Sequence, residues 1–186
     1  WFVVGIPIYF YGVLSDDTPQ GNKTAFFIIG AFMAAWIILY GMVQAAAPKI
    51  LKSRDSGLAQ QMRAVTHWGL ILAAVPIALT ALTLTGTPQT PEFAMIMAAG
   101  LIVFGVIFAV NSSLHSYLIL ALSSAERVTL DVGFYYMANA GGRLLGTLLS
   151  GLTYQWGGLP LMLGAASAMV MIAAIAGTRL HATDTH

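Results

Sequence analysis

The sequence predicts an all-α membrane protein built as a six-helix bundle. Three observations carry that expectation. Hydrophobic residues make up 58% of the chain and charged residues 8%, whereas a soluble domain carries roughly 25% charged residues. The mean hydropathy is +0.80. A chain of this composition cannot cover its surface with polar groups, so lipid must be most of its solvent. The apolar residues also fall in runs separated by clusters of Pro, Gly and charge, and most runs can cross a hydrocarbon core of about 30 Å. Finally, Lys and Arg are distributed very unequally between alternate loops.

The elements follow in order. Residues 1–14, WFVVGIPIYFYGVL, reach only about 21 Å at roughly 1.5 Å per residue, short of a full crossing. No charged region precedes them and no small-residue cleavage site follows, so they do not read as a signal peptide. They read as the end of a truncated spanning helix, and the chain as a fragment of a longer membrane protein. Residues 24–47 hold FFIIGAFMAAWIILYGMVQAAA, ended by Pro48. Residues 67–85, HWGLILAAVPIALTALTLT, end at Gly86 and the turn-rich TPQTPE. Pro76 lies inside that span, where a bundle tolerates it. Residues 93–122 form a long run with a polar patch at Asn111, Ser112, Ser113 and His115. Residues 129–153 and 159–178 complete the set, followed by the polar tail RLHATDTH. Before the third span, DSGLAQQMRAVTHW suggests a short interfacial helix capped by Asp55 or Ser56.

Orientation follows from the cations. If the chain crosses at every segment, Lys49, Lys52, Arg54, Arg63, Arg127 and Arg179 share one side, and the opposite loops hold only Lys23. The positive-inside rule places the first group in the cytoplasm. That gives a multi-pass protein of the inner (plasma) membrane with a cytoplasmic C-terminus. The net charge of +1 offers no basic field for nucleic acid. With no cysteine, the chain has no disulfides, iron–sulfur clusters or thiolate metal sites of its own. His181 and His186 form no metal-ligand cluster, and no cofactor is expected.

Arg143 is the one cation left inside a span, in YYMANAGGRLLGTLLSG. Gly142, Gly146 and Ser150 repeat every four residues and share a helix face, which Gly151 extends; small residues so spaced let another backbone approach. Arg143 lies about 100° around from Gly142. It forms a polar stripe with Asn139 and Thr147, with Tyr136 one turn earlier. A guanidinium near the bilayer centre costs at least about 2.5–3.5 kcal/mol. It should therefore face a partner or an aqueous cavity, and no carboxylate of the chain lies at its depth. Guanidinium favours planar oxyanions held by two hydrogen bonds. Arg143 is accordingly read as the contact for an anionic substrate, with a structural role as the competing reading.

Other polar residues in the spans are weaker signals. Asn111 and His115, four apart, make one polar face suited to cavity lining or proton handling, or else to a helix–helix hydrogen bond. Gln44 and Tyr40 have the same spacing and the same two readings. Trp68 and Trp156 sit at segment ends, as interface anchors do. The spans contain no nucleophile–base pair, metal cluster or paired carboxylates, so no enzyme is expected.

The run Gly142 to Gly151, GRLLGTLLSG, resembles the glycine motif G-x-x-x-G-P-x-x-G-G of the major facilitator superfamily, with Thr147 for Pro and Ser150 for Gly. The resemblance covers the whole chain as helices seven (truncated) to twelve. It implies half of that fold, with an N-terminal six-helix half as partner. The stretches FMAAWIILYGMVQAAAPK and FYYMANAGGRLLGTLLSGLTYQ are similar to ArsJ-type organoarsenical efflux permeases. That resemblance implies export of 1-arseno-3-phosphoglycerate, an anionic ester, and so arsenate resistance. Proton coupling would then fall to the missing half or to His115. Two rivals stay open: an exporter of drugs, sugars or other solutes in which Arg143 is structural, and a non-transporting membrane protein.

Overall fold

A computed structural model describes residues 3–16, 18–51 and 57–178. All regular structure among them is helical: α1 (Gly5–Leu14), α2 (Pro19–Ile50), α3 (Leu58–Thr85), α4 (Pro91–Leu122) and α5 (Val128–Gly177). Helices α2 to α5 are each long and apolar enough to cross a membrane.

Helix starts follow local chemistry. Thr18 precedes α2 and its hydroxyl accepts from Gly21 N–H at 3.0 Å; Pro19, with no N–H to satisfy, opens the helix. Thr90 and Pro91 repeat the device at α4, where the Thr90 hydroxyl accepts from Phe93 N–H at 3.3 Å. Both helices thus begin before their apolar runs do. Pro48 does not end α2, which continues to Ile50. The expected interfacial helix is no separate element; its residues from Leu58 onward are the first turns of α3, whose cap is Gly57. Asp55 and Ser56 lie outside the described residues.

Among the described residues there are five helices where the sequence predicts six. The expected fifth and sixth segments are joined in α5 because only Gly157 and Gly158 depart from helical geometry between them. Gly158 has φ 63° and ψ −156°, a combination essentially confined to glycine. The bend is sharp. Twelve residues of straight helix would span about 18 Å. Yet a Cβ placed on Gly5 of α1 would lie 3.0 Å from Ser150 Oγ and 3.3 Å from Met162 Cε. The chain therefore doubles back, and α5 has an upstream arm (128–156) and a downstream arm (159–177).

Among the described residues α4 meets every other helix, whereas α2 and α5 do not meet. Helices α2 and α4 run in the same direction: Trp36 packs at Leu101 and Gly105, Tyr40 at Phe108, and Gln44 at Ser112. Helix α3 runs antiparallel to α4, with Leu79 beside Gly100, and Met62 and Val65 clustered with Leu114 and Leu118. The downstream arm lies antiparallel on α3, with Thr80 Oγ1 3.3 Å from Ser167 Oγ and Gly69 facing Ala174. The main core draws Tyr9, Ile29, Leu79, Met97 and Met162 from all five helices.

Candidate functional site

The upstream arm of α5 carries Arg143 near its middle, in a helix apolar enough to cross a membrane. Asp131 in its first turn complements the positive end of the helix dipole. From Gly133 to Leu149 every residue is exposed except Tyr135, half-buried, and Gly146, buried. Arg143 is exposed and has no hydrogen bond or ion pair to any described residue. Asn139 and Thr147 are exposed on the same stripe, and Tyr136 is 66% exposed one turn before. The Tyr135 and Tyr136 rings contact each other with centroids 5.7 Å apart. The stripe therefore presents a phenol, an amide, a guanidinium and a hydroxyl in register along one face.

The neighbouring strip of small residues divides in two. Ser150 is 0% exposed, and its hydroxyl accepts from Gly5 N–H at 3.1 Å, so α1 crosses the arm at backbone distance. Gly146 is buried beside it. A Cβ on Gly151 would sit 3.8 Å from Val4 Cγ1. Gly142 has nothing within 4 Å of its Cβ position. Close packing on α1 thus begins about one turn beyond the cation. An open groove between α1 and the arm, lined by Ile8, Thr147, Leu148, Gly151, Tyr154 and Gln155, continues from the stripe through Thr147.

The remaining candidates lie between α2 and α4. Trp36 donates from Nε1 to the Leu101 carbonyl at 2.7 Å and stacks on Tyr40 with centroids 5.7 Å apart. Tyr40 in turn meets Phe108 at 5.4 Å. One turn on, Gln44 Nε2 donates to Ser112 Oγ at 3.4 Å. Asn111 is only 9% exposed, and its buried Oδ1 has no donor. His115 is half-buried and has no hydrogen bond to a described residue.

The seven residues expected to line one site thus fall into two groups, Tyr136, Asn139 and Arg143 on α5, and Tyr40, Gln44, Asn111 and His115 on α2 and α4. Because α2 and α5 do not meet, Tyr40 and Gln44 are not beside Arg143. Trp156, at the end of the upstream arm, is 73% exposed. Trp68 packs partly against the cluster joining α3 and α4. Sequence reasoning missed Trp36 and Gly105. The available signal was a tryptophan in mid-span, where its N–H needs an acceptor that lipid does not provide. It also read Ser150 as merely small, whereas its hydroxyl makes the contact with α1.

No family model, curated protein or solved structure matches this chain.

Proposed function

We propose that the chain is the C-terminal half of a major-facilitator-type secondary transporter that exports an anionic organic solute, with Arg143 as the anion contact. One observation carries the reading: a guanidinium without a partner among the described residues, near the middle of an apolar helical arm, exposed together with a polar stripe. Left against lipid it costs at least about 2.5–3.5 kcal/mol. An oxyanion that accepts two of its N–H groups offsets that cost. Asn139 and Tyr136 add donors on the same face. An N-terminal six-helix half covers the exposed arm, and solute binds between the halves near the midplane and is released by alternating access.

The resemblance to organoarsenical efflux permeases makes 1-arseno-3-phosphoglycerate the proposed solute and arsenate resistance the proposed role. The cation-rich loops support a cytoplasmic C-terminus, and an inner-membrane location is proposed with it.

The test is transport by the full-length protein in sealed vesicles. Arg143→Ala should lower uptake of the anionic solute at least about tenfold, the equivalent of about 1.4 kcal/mol. Arg143→Lys should retain part of it, because the charge stays and the two-pronged geometry goes. Undiminished anion transport by a folded Arg143→Ala protein would exclude Arg143 as the anion contact.

A further inference from the structure

We propose that Asn111 and His115 form a reversible proton-binding site inside the bundle, toward the C-terminal end of α4. The placement of the two side chains comes first. Leu114 and Leu118 of α4 pack on Met62 and Val65 of α3, and helical spacing puts Asn111 on the same face. Ser112 lies on the face that meets Gln44 of α2. His115 falls between these faces, one turn beyond Asn111. Residues four apart share a helix face, so His115 is positioned one turn from Asn111.

The second observation is a missing donor. Asn111 is nine-tenths buried with Oδ1 unsatisfied, a costly condition for an amide. His115, half-buried, has no hydrogen bond to a described residue either. Neutral imidazole has one N–H and one bare nitrogen; protonated imidazole has two N–H donors. Proton uptake from water therefore converts the bare nitrogen into a donor, and Asn111 Oδ1 is an acceptor within one turn, directly or through one water. Proton release restores the neutral ring and returns the proton to water. Atoms and charge balance without a further reactant.

The surroundings favour exchange over permanent charge. No carboxylate faces His115 among the described residues. On α2, the phenol of Tyr40 sits at Phe108, before the Gln44–Ser112 pair and away from His115. Lys49, at the end of α2, is exposed, and so are Arg63 and His67, set off the α3 face that packs on α4. No hydrogen bond or ion pair joins His115 to α1 or α5. The charged form thus rests on hydrogen bonds alone, which suits a site that loads and unloads. Linking this site to solute movement rests on the transport reading above; the protonation itself does not.

The experiment is a titration of the full chain in lipid nanodiscs, labelled with ¹⁵N-histidine and read by NMR. His115→Gln assigns the signal among the four histidines. The His115 resonance should move reversibly between its neutral and protonated positions as the pH is lowered through the range in which the nanodiscs stay intact. Asn111→Leu, an apolar replacement of similar size that removes the acceptor and not the packing, should lower the midpoint by about half a unit or more, a threefold loss of proton affinity. A His115 signal that keeps one protonation state across the range overturns the proposal. So does a midpoint unchanged by Asn111→Leu. The measurement needs no transport, so failure of the anion reading leaves it standing.

Discussion

Replacing Gly105 with alanine places a methyl group where Trp36 already sits. The added Cβ would lie 2.7 Å from Trp36 Cε2 and Nε1 and 2.9 Å from Cζ2. Comfortable carbon contacts lie at about 3.5–4.0 Å, so roughly 1 Å must be found. The indole cannot give easily: its Nε1 donates to the Leu101 carbonyl at 2.7 Å, and its face stacks on Tyr40. Either the helices separate or the ring turns and loses its hydrogen bond. Overpacking of this kind costs about 1–3 kcal/mol, and a lost interhelical hydrogen bond in a bundle adds about 0.6 kcal/mol. The better helix propensity of alanine returns about 0.5–1 kcal/mol. The net expectation is a loss of about 1–3 kcal/mol. Gly41→Ala on α2, where nothing lies within 4 Å, is the control and should be neutral or stabilising by up to about 1 kcal/mol. Reversible unfolding of the full chain in mixed micelles reads both. In a Trp36→Leu background Gly105→Ala should cost less than about 0.5 kcal/mol, a coupling within the range expected for residues in contact. Equal effects at Gly105 and Gly41, or additivity with Trp36→Leu, would refute the packing of α2 on α4 described above.

Three further outcomes are expected. Gly158→Ala should lower stability by about 1–3 kcal/mol, because φ 63° with ψ −156° suits glycine alone. Gly158→Asn should fare no better, since the left-handed region that asparagine tolerates has ψ near +47°; rescue by asparagine in the same unfolding assay would show that the bend adopts another conformation. Ser150→Ala leaves the Gly5 N–H without its acceptor and should cost about 0.5–1.5 kcal/mol; no change would mean that α1 does not cross there. At Asp16, in the loop before α2, hydrogen bonds from the Thr18 hydroxyl and then its backbone N–H hold the carboxyl below its ordinary pKa. A depressed folded-state value contributes stability that is present above the unfolded value, about 3.9, and lost as pH falls through the lower folded one. Thermal melts should therefore show a shallower acid decline for Asp16→Asn than for the parent chain, and superimposable acid limbs would contradict this. The effect should be small and should weaken in salt, because the carboxylate is fully exposed.

The spans are legible in the sequence because hydrophobic run length is a property of each segment by itself. Residues 67–85 and 93–122 lie wholly within α3 and α4. Helix ends are less legible where polar residues supply the cap. The apolar run of α2 begins several residues after Thr18 and Pro19, and the chain is already helical there because the threonine hydroxyl satisfies a free N–H. The count of helices fails for a related reason. A glycine pair reads as a break, but whether the break becomes a loop or a two-residue reversal depends on φ and ψ, which composition does not reveal. Pro160 stands just after the reversal and helix resumes through it.

Partnership is the level at which periodicity stops informing. Gly142, Gly146 and Ser150 have one spacing and one face. Yet Ser150 is fully buried against Gly5, whereas Gly142 stands open. Spacing says which residues travel together around their own helix; it does not say which neighbour they meet or how far along the contact runs. The same separation governs the polar residues. Asn111 and His115 share a face by periodicity, but only the burial of Asn111 without a donor turns that face into a place that needs a ligand. Arg143 shows the opposite case. Its exposure, together with that of Asn139 and Tyr136, leaves a charge midway along an arm of a helix apolar enough to cross a membrane, where lipid would not solvate it. A bare guanidinium there is stable only when an anion, water or another protein surface takes the place of lipid. The described helices leave that face uncovered, which is why an anionic solute is proposed to complete the stripe.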